Sequence, residues 1–290
     1  MFEGVYTAIA TPFTSDGQVD TNALTKMVEF QIEGGVDGFV PVGTTGESPT
    51  LRVKEHLEVI RTVVKAAQGK AKVVAGTGAN STDEAIELTK HAIDMGVDGT
   101  LQVTPYYNKP SDAGMVAHFS TVADLGAPIV LYNVPGRSGR EISLDVVRQL
   151  SSHSNVVAVK EAAPDSVSRV TQILEFCDLD ILSGDDPVTI PMMVGGAKGV
   201  ISVASNVVPK LVSTMVHKAL AGEWAEASKM HRDNNRLFLG LLGMDVNPLP
   251  IKTALAMLGH CEEVFRLPMC RMSNEKRDSM KQLLSEYSLL

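Results

Sequence analysis

Cysteine is scarce in this chain. There are three in 290 residues, Cys177, Cys261 and Cys270, widely spaced and with no C-x-x-C pair. An odd, scattered set excludes a disulfide scaffold and predicts reduced, mostly structural thiols in a reducing compartment. Histidine offers no metal pattern either: His56, His91, His118, His153, His217, His231 and His260 stand apart, without HExxH or Cys/His ligand spacing, so no catalytic transition metal is expected. No apolar run approaches the roughly 18 residues of a membrane span. The opening MFEGVYTAIATPF lacks a basic n-region and a small-residue cleavage motif, so it does not read as a signal peptide. Positive charge is not in excess, because 34 acidic residues against 26 basic ones leave a net charge of −8. Neither nucleic acid nor an anionic membrane is therefore an expected partner, and an anionic substrate must be held by local cations. What remains, at 44% hydrophobic and 21% charged residues, has the composition of an ordinary globular, cytoplasmic protein.

What is present is a repeated alternation. Short β-branched, apolar runs occur at 5–10, 38–43, 72–78, 99–105, 128–134, 156–160, 180–184 and 199–204. Eight runs, about 20 to 35 residues apart, match the length of a β-loop-α unit and the strand number that closes a barrel. They are nearly continuous in Val, Ile, Ala and Gly, as strands covered on both faces are. An open doubly wound sheet is the competing architecture, but no GxGxxG follows the first run. Between the runs, Val53, Leu57, Ile60 and Val64, and again Ala85, Leu88, Ala92 and Met95, recur at helical spacing. A helix near 209–221 follows the eighth run, and a helical tail comes after it, with Asn247-Pro248 as the cap and first residue of a helix over 252–258. The expected fold is an α/β (β/α)₈ TIM barrel over residues 1–222 with a C-terminal helical appendage over 223–290.

In such a barrel chemistry gathers at the carboxyl ends of the strands. The sixth run ends at Lys160-Glu161, and an ammonium in an apolar setting is disfavoured against the free amine, which can attack a carbonyl. The alternative is a lysine that reaches solvent or pairs with Glu161. Tyr132 ends the fifth run, where a phenol can shuttle protons or simply pack over the barrel. Arg137, in the following loop, can fork a carboxylate or lie on the surface like neighbouring Arg140. After the second run comes Gly43-Thr44-Thr45-Gly46-Glu47-Ser48, whose amides and hydroxyls suit an anion; without a P-loop lysine, a carboxylate is a better guest than a nucleotide. The same turn could merely let Ser48 or Thr50 cap the next helix. Tyr106 and Tyr107 are adjacent after the fourth run, so at most one faces a given pocket. Asp185-Asp186-Pro187 suggests a metal less than a helix cap at Asp186.

Taken together, GTTGES (43–48), TPYYNKP (104–110), YNVPGRSG (132–139), VAVKEA (157–162), GDD (184–186), GVISVASN (199–206) and NPLPIK (247–252) resemble the dihydrodipicolinate synthase family, within the N-acetylneuraminate lyase superfamily. These pieces are ordered as in that family and span nearly the whole chain. The resemblance implies condensation of pyruvate with L-aspartate-4-semialdehyde in the diaminopimelate branch of lysine biosynthesis, without a cofactor. Lys160 would form the Schiff base, with Tyr132, Thr44 and Tyr107 as the proton relay. Family members lend the second tyrosine from a neighbouring subunit, so Tyr107 implies a tight homodimer, paired into a tetramer. Thr45 would hold the pyruvate carboxylate and Arg137 that of the aldehyde, while Gly184 and Ile201 line the pocket through their backbone. Lysine-sensitive members bind L-lysine at the dimer interface, at positions matching Ser48, His56, Asn80, Glu84 and Tyr106. Here Val53 stands where many of them carry a second histidine. The rival readings are a sialic acid or 2-keto-3-deoxy sugar acid lyase with the same lysine and tyrosine, and a catalytically silent binding protein on the same scaffold.

Overall fold

The computed structural model describes all 290 residues. Its centre is a closed barrel of eight parallel strands: β1 (Gly4–Thr7), β2 (Gly38–Phe39), β3 (Lys72–Gly76), β4 (Gly99–Val103), β5 (Ile129–Asn133), β6 (Val156–Glu161), β7 (Asp180–Ser183) and β8 (Gly199–Ser202). Every expected run carries a strand. Seven of the strands are shorter than their runs because the last residues of those runs turn into the loops at the barrel mouth, whereas β6 runs one residue further, to Glu161. Closure needs two glycines at the seam: β1 pairs Gly4 with Gly199 of β8, and a Cβ on Gly199 would lie 1.9 Å from the Gly4 carbonyl oxygen.

The barrel helices are α1 (Thr21–Glu33), α2 (Val53–Ala67), α3 (Thr82–Asp94), α4 (Asp112–Ala123), the single turn α5 (Pro135–Ser138), α6 (Leu144–Leu150), α7 (Ser166–Leu174), α8 (Thr189–Val194) and α9 (Pro209–Leu220). Side chains alternate along each strand, and this alternation separates two apolar groups. Tyr6, Val40, Val74, Leu101, Val130, Tyr132, Ala158, Leu182 and Ile201 fill the barrel, whereas Ile129, Leu131, Val159 and Ile181 face the helices. On α3 the buried face is Ala85, Leu88, Thr89 and Ala92, close to the expected stripe. On α2 the expected stripe is rotated. His56, Val59, Ile60, Val63 and Ala67 are buried while Val53 is exposed, because His56 is drawn inward by a 2.8 Å bond from Nε2 to the Gly76 carbonyl.

The tail forms α10 (Trp224–Gly243), α11 (Leu249–Met257) and α12 (Asn274–Glu286). Its buried Leu237, Phe238, Leu241, Ile251, Leu255 and Leu284 join the same core as the barrel helices. The helix expected from residue 252 begins at Leu249, and Asn247 does not cap it; its amide turns to the Thr45 hydroxyl instead, at 3.1 Å. Thr50 does not cap α2 either, since its hydroxyl donates to the Glu47 carbonyl at 3.0 Å and Glu55 receives the Arg52 amide at 2.9 Å. No helix is long and apolar enough to cross a membrane.

Candidate active site

Because β6 alternates, Ala158 and Lys160 point into the barrel while Val159 and Glu161 point out. Glu161 is wholly buried among the helices, where it accepts bonds from Asn133 Nδ2 at 2.8 Å, from the Ala163 amide at 2.9 Å and from Arg169 Nε at 2.8 Å. The pairing of Lys160 with Glu161 that the sequence leaves open is thereby excluded. Lys160 is 6% exposed, forms no ion pair, and holds its Nζ 4.3 Å from the centre of the Tyr132 ring. Tyr132 is its register partner across β5 and β6. Amine and phenol are thus neighbours at the mouth end of the barrel, and no ion pair holds the Lys160 side chain.

A cavity of about 290 Å³ opens over this pair. Thr44, Thr45, Arg137 and Gly184 are in its wall, as expected, and so is Asp185. Gly184 is required there, since a Cβ would meet Lys160 Cε at 3.1 Å and Ala162 Cβ at 2.7 Å. Ile201 is not in the wall; it is buried inside the barrel, and Val203 is the β8-side residue that reaches the cavity. Asp186 is not a helix cap. It receives the Ser202 hydroxyl at 2.5 Å and the Val203 and Ala204 amides at 2.9 Å, tying the end of β7 to the turn after β8. Asp185 is the free carboxylate of the two. Burial, reinforced by Asp186, pushes its carboxyl up to about 6, with Lys160 pulling the other way, and its Oδ1 has no hydrogen-bond partner. No cluster of His, Cys, Asp or Glu is arranged to hold a metal.

Sequence reasoning missed the part of this wall that the C-terminal tail supplies. Leu242, Asp245, Val246 and Asn247 come from the tail, between α10 and α11. Asn247 joins two expected residues, donating to Thr45 Oγ1 and accepting from Arg137 Nη2 at 3.2 Å through its backbone oxygen. Its Oδ1 is buried without a partner. The signal was the NPLPIK segment itself, which reads as a helix start and a family match without pointing to the wall. Arg140, taken as a model of a surface arginine, is in fact paired with Asp112 and donates to the Pro110 carbonyl.

An adjoining cavity of about 230 Å³ shares Thr44, Tyr132 and Arg137 with the first and adds Ser48 and Tyr106. Asn80 donates to the Tyr106 carbonyl at 3.3 Å, and burial together with the Glu84 charge pushes the Tyr106 phenol up. Ser48, Asn80, Glu84 and Tyr106 are therefore gathered around one place. His56 is not among them, being on the buried face of α2 against the Gly76 carbonyl, where desolvation holds its pKa down. Tyr107 lines neither cavity. It adopts a left-handed backbone (φ 73°) and is 90% exposed, directed away from the barrel of its own chain.

The fold and sequence resemble those of known proteins. The 4-hydroxy-tetrahydrodipicolinate synthase of Aquifex aeolicus is 46% identical over all of this chain and 99% of its own, and its crystal structure superposes with a TM-score of 0.96 over 99% of both chains. The dihydrodipicolinate synthase of Acinetobacter baumannii, crystallised in complex with pyruvate, is 38% identical with a TM-score of 0.97 over the full length of both. That of Cyanidioschyzon merolae, crystallised with lysine bound, is 37% identical with a TM-score of 0.95 over 100% of this chain and 99% of its own. The model of the dihydrodipicolinate synthetase family matches residues 1–287, and the chain belongs to that family.

Proposed function

We propose that the protein is a Schiff-base lyase that condenses pyruvate with L-aspartate-4-semialdehyde to 4-hydroxy-tetrahydrodipicolinate, the product named for its curated relatives. The observation that carries this reading is the buried, unpaired Lys160 amine against the Tyr132 ring, at the floor of a cavity with hydroxyls on one side and a guanidinium on the other. Lys160 attacks the ketone carbon of pyruvate, and water leaves to give the imine. Thr45, with the loop amides around it, holds the pyruvate carboxylate, and the backbone of Gly184 bounds the site, with Val203 on the β8 side. Loss of a methyl proton gives the enamine, which adds to the aldehyde carbon; the amino group of the joined substrate then adds to the imine carbon, closing the ring and releasing the Lys160 amine. Tyr132, Thr44 and Tyr107 pass the protons these steps release and consume. The decisive assay is consumption of pyruvate with aspartate semialdehyde; release of pyruvate from a sugar acid instead would establish the sugar-acid lyase reading.

Arg137 faces this cavity and is assigned to the aldehyde's carboxylate. Arg137→Ala is expected to leave pyruvate capture intact and to raise the aldehyde KM by roughly 10- to 150-fold, the equivalent of about 1.5–3 kcal/mol for a charge-assisted bond. Steady-state constants for each substrate check this, and a change confined to the pyruvate constant reverses the assignment.

Tyr107 serves the site only if it enters from a second subunit, and its exposure on its own chain supports that reading. A second, separate apolar surface at Val167, Leu174 and Val194 on α7 and α8 supports pairing of dimers into a tetramer. Serial dilution is expected to reduce specific activity as the tight dimer dissociates, followed by sedimentation at the same concentrations; a fully active monomer contradicts the shared site.

Ser48, Asn80, Glu84 and Tyr106 form the proposed effector site for L-lysine, with Glu84 taking an amino group. His56 is not part of it, and Val53 gives no second imidazole. The expectation is partial inhibition of moderate affinity, abolished by Glu84→Thr with uninhibited turnover preserved. Rates titrated with L-lysine decide it, since a flat wild-type response into the millimolar range leaves these residues as a helix start and an interface.

A further inference from the structure

The loop that carries Thr44 and Thr45 is gripped from behind by a charge pair to which none of the roles above refers. Glu47 turns the loop with a left-handed backbone (φ 53°), and its carboxylate meets the ammonium of Lys252 on α11, with side chains 1% and 0% exposed. The second carboxylate oxygen accepts the Arg266 amide at 3.2 Å. Lys252 also donates to the Val264 carbonyl at 2.8 Å and lies 4.3 Å from the centre of the Phe13 ring. Around this pair the loop is fastened at both shoulders: the Thr11 hydroxyl donates to the Gly46 carbonyl at 2.7 Å, and Arg266 donates to the Thr50 carbonyl at 3.0 Å while clasping Glu55.

Stability alone is a poor reason for such a pair. Taking both charges out of water costs about as much as their attraction returns, and apolar residues of similar volume often fill such a site without loss. What charge supplies and an apolar contact does not is direction. The pair fixes the backbone of Glu47 against α11, and Asn247, two residues before α11 begins, is the one that bonds the Thr45 hydroxyl. A shift of about 1 Å in groups that orient a substrate can cost on the order of a hundredfold in rate.

We infer that Glu47 and Lys252 are positioning residues: through the Gly43–Thr50 loop they aim the Thr44 and Thr45 hydroxyls at the space above Lys160, and so couple the C-terminal helices to capture of the 2-oxo acid. This rests on the function proposed above. The informative protein is the double variant Glu47→Gln/Lys252→Met, which removes both charges at nearly constant volume; Lys252→Met alone strands the Glu47 charge and is expected to lose stability. The double variant is expected to keep a Tm within a few degrees of the parent. Its pyruvate KM should rise about tenfold or more, with an equal fall in the rate of borohydride-trapped imine at low pyruvate and an unchanged aldehyde KM. Glu47→Gln alone, which keeps an acceptor for Lys252, should fall between the two and serves if the double variant does not fold. A folded variant with parental pyruvate constants overturns the inference and leaves the pair as a fold element. Trapping in the parent is the control for the function itself. Should the parent not react, hydrogen exchange of the Gly43–Thr50 amides in the same variants still decides the pair: faster exchange supports it and unchanged exchange overturns it.

Discussion

Lys160→Ala is expected to fold as a barrel and to lose turnover by about 10⁴–10⁶-fold, the scale on which removal of a covalent nucleophile acts. The fold should survive because the truncated side chain reaches toward the open cavity and holds no ion pair that its loss would leave unmatched. Pyruvate and borohydride, followed by mass analysis of peptides, check the covalent step: the parent gains one pyruvate-derived group on the peptide containing Lys160, and the variant gains none. Two lysines are buried in the protein, so specificity has a stated origin. Lys252 is the more deeply buried, but its ammonium is held by Glu47 and by the Val264 carbonyl and is packed between the rings of Phe13 and Phe265. It has no cavity in which a keto acid could approach. Labelling that persists undiminished in Lys160→Ala would sink the assignment.

The parts of this site that are legible in the sequence share one property: each is a polar residue that interrupts or ends an apolar run. Lys160 and Tyr132 are visible because a buried parallel strand has little other reason to end in an ammonium or a phenol, and the eight runs are visible because both faces of each strand must be covered. The parts that are not legible depend on contacts across long stretches of chain. Asn247 lies 202 residues from the Thr45 hydroxyl it bonds, and Lys252 lies 205 residues from Glu47. Neither interval leaves a periodicity to read. The rotated face of α2 has a local cause instead. The helix carries apolar residues on two neighbouring stripes, and the choice between them is made by a histidine bonded to a strand carbonyl, which hydrophobic spacing counts as polar. Asp186 resists local reading for the same reason as Asn247: a carboxylate before proline is a helix start by local rules, and its partners, at the end of β8 and in the turn after it, lie 16 to 18 residues away.

Tyr132→Phe should retain the fold and lose about 10²–10⁴-fold in kcat, the range for loss of a positioned proton-transfer group. The ring is what the barrel uses. It is buried among Val130, Ala158, Leu182 and Ile201 and lies under the Lys160 amine, and phenylalanine preserves all of those contacts. The hydroxyl is what the chemistry uses. It makes no hydrogen bond within the chain, so its removal strands no buried partner and should change stability by well under about 1 kcal/mol. A group acting in proton transfer lowers kcat and kcat/KM together, because its contribution arises only as protons move. The imine should still form with pyruvate and borohydride in this variant, more slowly, since the nucleophile is intact and only the proton route to and from the departing water is impaired. That combination of native thermal stability, a labelled Lys160 and depressed turnover separates a relay residue from a packing residue. A Tyr132→Phe protein with near-native turnover would remove the phenol from the mechanism and leave Thr44 and Asp185, in the same cavity wall, to carry the protons.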